Sequence, residues 1–142
     1  MKLKENIKKN GTYDENSGEL RDAVKPNGVL LILEDYDAIR AFYSSHFEKR
    51  GFEVFSAARL ADAIELAELE EPAIIIVDYD LAGESADKVV SRLRRHSPKS
   101  KIVVLGGLAH QAVQESLKKA GADDYLSKAY DVELVDLIAK RA

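Results

Sequence analysis

The stretch Ala73-Ile-Ile-Ile-Val-Asp78 runs five apolar residues into a carboxylate. A β-branched run this short and this continuous reads as a strand buried on both faces, as in a parallel sheet. Upstream, Val29-Leu-Leu-Ile-Leu33 repeats the pattern and ends in Glu34-Asp35. Downstream, Lys101-Ile-Val-Val-Leu105 is another such run, and the short segment Asp123-Asp-Tyr-Leu126 comes just before Lys128. In a parallel sheet all strand C-termini share one edge, which is where open α/β sheets bind ligands. Glu34, Asp35, Asp78 and Lys128 are therefore expected in one pocket. Crowded carboxylates repel one another unless a cation sits among them. An all-oxygen set suits Mg2+, a hard ion that keeps several waters.

Between these runs lie helical patterns. Ile39, Phe42, Tyr43, His46 and Phe47 recur at the spacing of one helix face, and Gly51 follows as a stop. Phe52-Glu-Val-Phe55 reads as a short strand. Leu60, Ala63, Ile64 and Ala67 mark a second helix, ended by Pro72, and Val89, Val90 and Leu93 mark a third. A fourth is expected from about Leu108 to Ala120, before Gly121. A fifth strand is expected over Asp124–Leu126, and a last helix carries Leu134, Leu137 and Ile138. The pattern is (βα)5, which implies a parallel sheet covered by helices on both faces, a three-layer sandwich.

The chain has 142 residues, a net charge of −4 and no cysteine. That is enough for one domain with a full core, and it excludes disulfides, thiol catalysis and zinc–thiolate sites. The mild acidity argues against nucleic acid as the main partner. No apolar stretch approaches the ~20 residues of a membrane span, and no apolar signal region follows the charged N-terminus. A cytoplasmic location is expected. Residues 1–27, rich in Lys, Glu, Asn, Gly and Asp, read as a flexible arm, with a docking helix near Leu3 and Ile7 as a lesser reading. Residues 28–142 read as the folded domain.

With these residues in this order, the chain resembles the response-regulator receiver domains of two-component signalling. The resemblance covers about residues 29 to 142. Glu34-Asp35 fits the family's acidic pair, Asp78 its phosphoacceptor and Lys128 its lysine, within Gly121-Ala-Asp-Asp-Tyr-Leu-Ser-Lys128. Tyr125 fits the aromatic position that reports activation. The resemblance implies a flavodoxin-like fold with strand order 2-1-3-4-5. It also implies that Asp78 receives a phosphoryl group from a histidine kinase or phosphotransfer protein, as in a phosphorelay. Mg2+ held by Asp35, Asp78 and Glu34, the last through water, would offset the negative charge, with Lys128 facing the transferring group.

The departures fall in the switch. Gly106 stands where the family has Ser or Thr, and Gly107 follows it. Ala129 replaces the proline after the lysine, so a trans Lys128–Ala129 bond is expected. Ala82 and Ala86 replace a usual proline and glycine. Asp37 reads as a helix cap, and Asp80 as a loop acid near the pocket that aligns or repels an attacking water. Arg94 and Arg95 read as a solvated helix end. His46 lies on an apolar helix stripe, and His96 and His110 read as surface residues. No output domain is expected after the last helix. Output would then be protein–protein contact through the face of the fourth helix, fifth strand and fifth helix, with no enzymatic activity beyond assisting the protein's own phosphorylation and dephosphorylation. The alternative is a pseudo-receiver that binds partners without phosphorylation. A flavodoxin-like cofactor binder or small enzyme is disfavoured, since no Gly-rich phosphate loop follows the first strand.

Overall fold

A computed structural model describes residues 12–14, 19–21 and 27–127. Lys128, Ala129, the expected last helix and the possible helix near Leu3 lie outside the described residues. The main body alternates β3 (Val29–Leu33), α1 (Asp37–Lys49), β4 (Glu53–Ala57), α2 (Leu60–Glu70), β5 (Ile74–Asp78), α3 (Ala86–His96), β6 (Lys101–Gly106), α4 (Gln111–Ala120) and β7 (Asp124–Ser127). Its five strands pair in parallel in the order β4-β3-β5-β6-β7. Counted within this sheet the order is 2-1-3-4-5, the flavodoxin-like topology expected. Before it, β1 (Thr12–Asp14) and β2 (Glu19–Arg21) form a separate antiparallel pair, which no apolar pattern in residues 1–27 signals.

Alternation along each strand divides the core between two faces. Leu31, Leu33, Ile75, Val77, Ile102 and Val104 pack against Leu60, Ala63 and Ala67 of α2, Val89, Val90 and Leu93 of α3, and Leu117 of α4. Leu30, Ile32, Ile74, Ile76, Val103 and Leu105 point the other way, against Tyr43 and Phe47 of α1 and Phe52. All five residues of β5 are buried, because this strand is central and covered on both sides. Asp78 is its last residue.

Three expectations are corrected here. The fourth helix begins at Gln111, not near Leu108; Leu108 is 98% exposed and His110 is the extended N-cap residue. Asp37 is the first helical residue rather than the cap, which is Tyr36, and its carboxylate accepts from Arg40 at 2.6 Å. Arg94 is not a solvated helix end. Its guanidinium donates to the Gly121 carbonyl at 3.0 and 2.8 Å, to the Ser100 carbonyl at 2.6 Å and to the Asp123 carboxylate at 2.8 Å. Gly121, at φ +126°, makes room for this, since a Cβ there would lie 2.9 Å from the Arg94 stem. Asp123 also accepts the Ile102 N–H at 2.8 Å, so one arginine joins α3, the start of β6 and the turn into β7.

This difference in role is measurable. Arg94→Ala strands several carbonyls and is expected to lower unfolding free energy by about 2 kcal/mol, whereas exposed Arg95→Ala costs less than about 0.5 kcal/mol. Urea denaturation of the two variants checks this; equal losses would show that the clamp contributes nothing.

Candidate functional site

The acids meet because two neighbouring strands end together. In the register of β3 and β5, Leu33 pairs with Val77, so Glu34 and Asp78 emerge next to each other at the sheet edge. Glu34, Asp35 and Asp78 each present a carboxylate oxygen within 4.8 Å of the others. Glu34 and Asp78 are buried, at 2% and 4% exposure, and Asp35 is half-buried. Burial of clustered anions is unfavourable without compensating charge. Three hard oxygen donors at this spacing fit Mg2+ and offer no soft ligand for zinc or copper.

Backbone groups fix each acid. The Glu34 carboxylate accepts the Tyr36 N–H at 3.2 Å, and its carbonyl accepts from Arg40 at 2.9 Å. Asp35 accepts the Ala82 N–H at 3.2 Å, which ties the loop after β3 to the loop after β5. Asp78 accepts the Asp80 N–H at 3.3 Å. Arg40 and the Ala82 amide were not picked out from sequence. Arg40 lies one turn into α1, where its side chain can reach back to the strand end, and a backbone amide leaves no residue-type signal. Asp80 itself is exposed. Lys128 lies outside the described residues, just past β7, which ends at Ser127 beside Gly106.

On the other side of β6, Tyr125 turns toward Gly106. Its hydroxyl donates to the Gly107 carbonyl, and its ring meets Tyr79 edge-to-face, with centroids 6.2 Å apart and planes at 82°. Burial first, then the neighbouring Tyr79 and Asp80, holds the Tyr125 phenol above its ordinary value of 10.0. Tyr79 was also missed from sequence. It follows Asp78 directly, so strand alternation sends it to the opposite face, toward Tyr125. His46 packs edge-on against Phe42 at 4.4 Å, and His96 sits 3.1 Å from Glu68, so neither joins the acid site.

A doubly covered parallel sheet with an acid cluster at its C-terminal edge defines a class, and the comparisons agree with it. Residues 30–139 match the response regulator receiver domain family. The chain belongs to that family. It is 35% identical over 113 residues to the photosynthetic apparatus regulatory protein RegA of Cereibacter sphaeroides, covering 78% of this chain and 61% of that protein. The match spans roughly half to three-fifths of the length of RegA proteins from three organisms. A response regulator from Burkholderia pseudomallei, solved with a phosphorylated aspartic acid, a calcium ion and citrate, is 28% identical at a TM-score of 0.70, covering 81% of this chain and 73% of that one. The chemotaxis response regulator CheY4 of Vibrio cholerae shares the fold at a TM-score of 0.71 and 23% identity, covering 80% of this chain and 96% of that one. Among the described residues no helix is long and apolar enough to cross a membrane.

The acid cluster makes a direct prediction. Mg2+ or Mn2+ at 100 times its Kd is expected to add about 2.7 kcal/mol to stability by mass action. Thermal melts with and without metal check it. Asp35→Asn should lose the metal-dependent shift; the same shift in that variant would remove Asp35 from the site.

Proposed function

We propose that this receiver accepts one phosphoryl group on Asp78 from a histidine kinase or phosphotransfer protein. The observation that carries this reading is the meeting of Glu34, Asp35 and Asp78 within 4.8 Å at the strand ends. The phosphorylated aspartic acid and calcium ion of the Burkholderia pseudomallei relative support it. A carboxylate oxygen of Asp78 attacks phosphorus, the bond from phosphorus to the donor imidazole breaks, and the imidazole departs with that electron pair. Burial of Asp78 at the end of β5 and its bond from the Asp80 amide hold the attacking oxygen in one direction. Mg2+, when held by Asp35, Asp78 and Glu34, supplies positive charge that offsets the meeting of two anions. Lys128, the residue after Ser127 in the chain, would provide the second positive group.

Output in this reading is protein–protein contact through the α4, β7 and last-helix face, in the cytoplasm, with no nucleic acid bound and no reaction beyond phosphorylation and dephosphorylation of Asp78. The second reading is a scaffold that binds its partner without phosphorylation. Gly106 favours it, because no hydroxyl at the end of β6 is available to follow the phosphoryl group.

Acetyl phosphate with Mg2+ should add one phosphoryl mass to the protein, and Asp78→Asn should add none. Lys128→Ala should slow the gain by tenfold or more, equivalent to about 1.4 kcal/mol of barrier. Intact mass spectrometry over time reads all three. Absence of any gain, with acetyl phosphate or with a phosphorylated kinase, would leave the scaffold reading standing.

A further inference from the structure

Gly106 is buried at the end of β6, and its backbone does not need glycine, because its φ lies outside the positive region. The reason for glycine is space. A Cβ at this position would lie 2.3 Å from the Tyr125 hydroxyl, 3.0 Å from its Cζ and 2.9 Å from the Tyr79 Cβ. The Tyr125 phenol thus occupies the volume that a serine or threonine side chain would fill. Its hydroxyl donates to the Gly107 carbonyl, and Tyr79 covers the ring edge-on. Gly107 differs: a Cβ there would meet nothing within 4 Å.

We propose that Gly106 and Tyr125 form a size-complementary lock that holds the tyrosine inward and tethers the Gly106-Gly107 loop by packing alone. With Tyr125 placed as it is, a side chain at 106 could enter only if the phenol or the strand end shifted. The lock rests on packing around β6 and stands whether or not Asp78 is phosphorylated. Its consequence for the phosphoryl-accepting reading is a change of role. A ligand shifts a two-state equilibrium only by its differential affinity for the states, and here the tyrosine already sits in one of them. Phosphorylation at Asp78 then leaves Tyr125 where it was. A partner that reads β7 and the start of α4 meets the same surface before and after transfer.

The test uses the full chain labelled with 3-fluorotyrosine, with the Tyr125 resonance assigned by its loss in Tyr125→Phe. Fluorine spectra are taken of the parent, the parent with Mg2+ and beryllofluoride, Gly106→Ser and Gly107→Ala. The expected result is one Tyr125 resonance unchanged by beryllofluoride and by Gly107→Ala, and displaced toward the solvent-exposed value in Gly106→Ser. A parent resonance already at the exposed value, or one that moves inward only with beryllofluoride, would overturn the lock. Bound beryllofluoride carries its own fluorine signal. If that signal is missing, the phosphoryl-accepting reading fails, while the comparison of parent with Gly106→Ser still decides the lock. A double-mutant cycle covers poor folding of the serine variant. The lowering of the urea midpoint by Gly106→Ser should shrink to less than half in a Tyr125→Ala background, and an equal lowering in both backgrounds would refute the contact.

Discussion

Parallel pairing forces the C-termini of all five strands onto one edge, and the burial of β5 on both faces decides what that edge can hold. Ile74 to Val77 commit their side chains to the two halves of the core, so the first residue free to carry chemistry is Asp78. The same holds one strand over, where Leu33 is fully buried and Glu34 and Asp35 follow. The acids cannot separate without breaking strand register, because a slip by one residue would drive every core side chain to the wrong face. Hydrophobic burial thereby holds together three groups that repel one another. A cation at that edge would add favourable charge to a geometry already fixed.

That coupling explains how much was legible. Apolar runs ending in acids are visible because burial on both faces removes polar residues from the strand, and alternation with helices makes the sheet parallel; its order came from the family resemblance. Glu34, Asp35 and Asp78 come together as their positions imply. What escaped notice were contacts made by backbone groups or across long sequence separations. The Asp35 link to Ala82 spans two loops through an amide. Arg94 resembled any basic residue in a last helical turn, and only the fold brings the Gly121 and Ser100 carbonyls around it. The start of α4 was misplaced because Leu108 is apolar yet faces solvent, so periodicity alone extends the helix too far.

Gly106 shows the limit of reading a substitution by what it removes. From sequence it is a lost hydroxyl and a looser loop. In the fold it is a volume filled by Tyr125, and the loop gains a hydrogen bond at Gly107. The two descriptions separate chemistry from transmission. The proposed phosphoryl acceptance would rest on the acids at the ends of β3 and β5, whereas the Gly106 volume is bounded by Tyr125 and Tyr79. Transmission depends on whether something near β6 can exist in two arrangements with similar free energy.

An aromatic ring between two arrangements needs empty room in each. At Gly106 the inward room exists permanently, and leaving it would cost Tyr125 its bond to Gly107 and its packing on Tyr79. Both contacts favour the inward ring. A receiver arranged in this way keeps its acid cluster while Tyr125 stays packed beside β6. Under the proposed phosphoryl transfer, the response would arise at the pocket itself, where a phosphoryl group on Asp78 would change the charge beside Asp35 and the loop at Ala82.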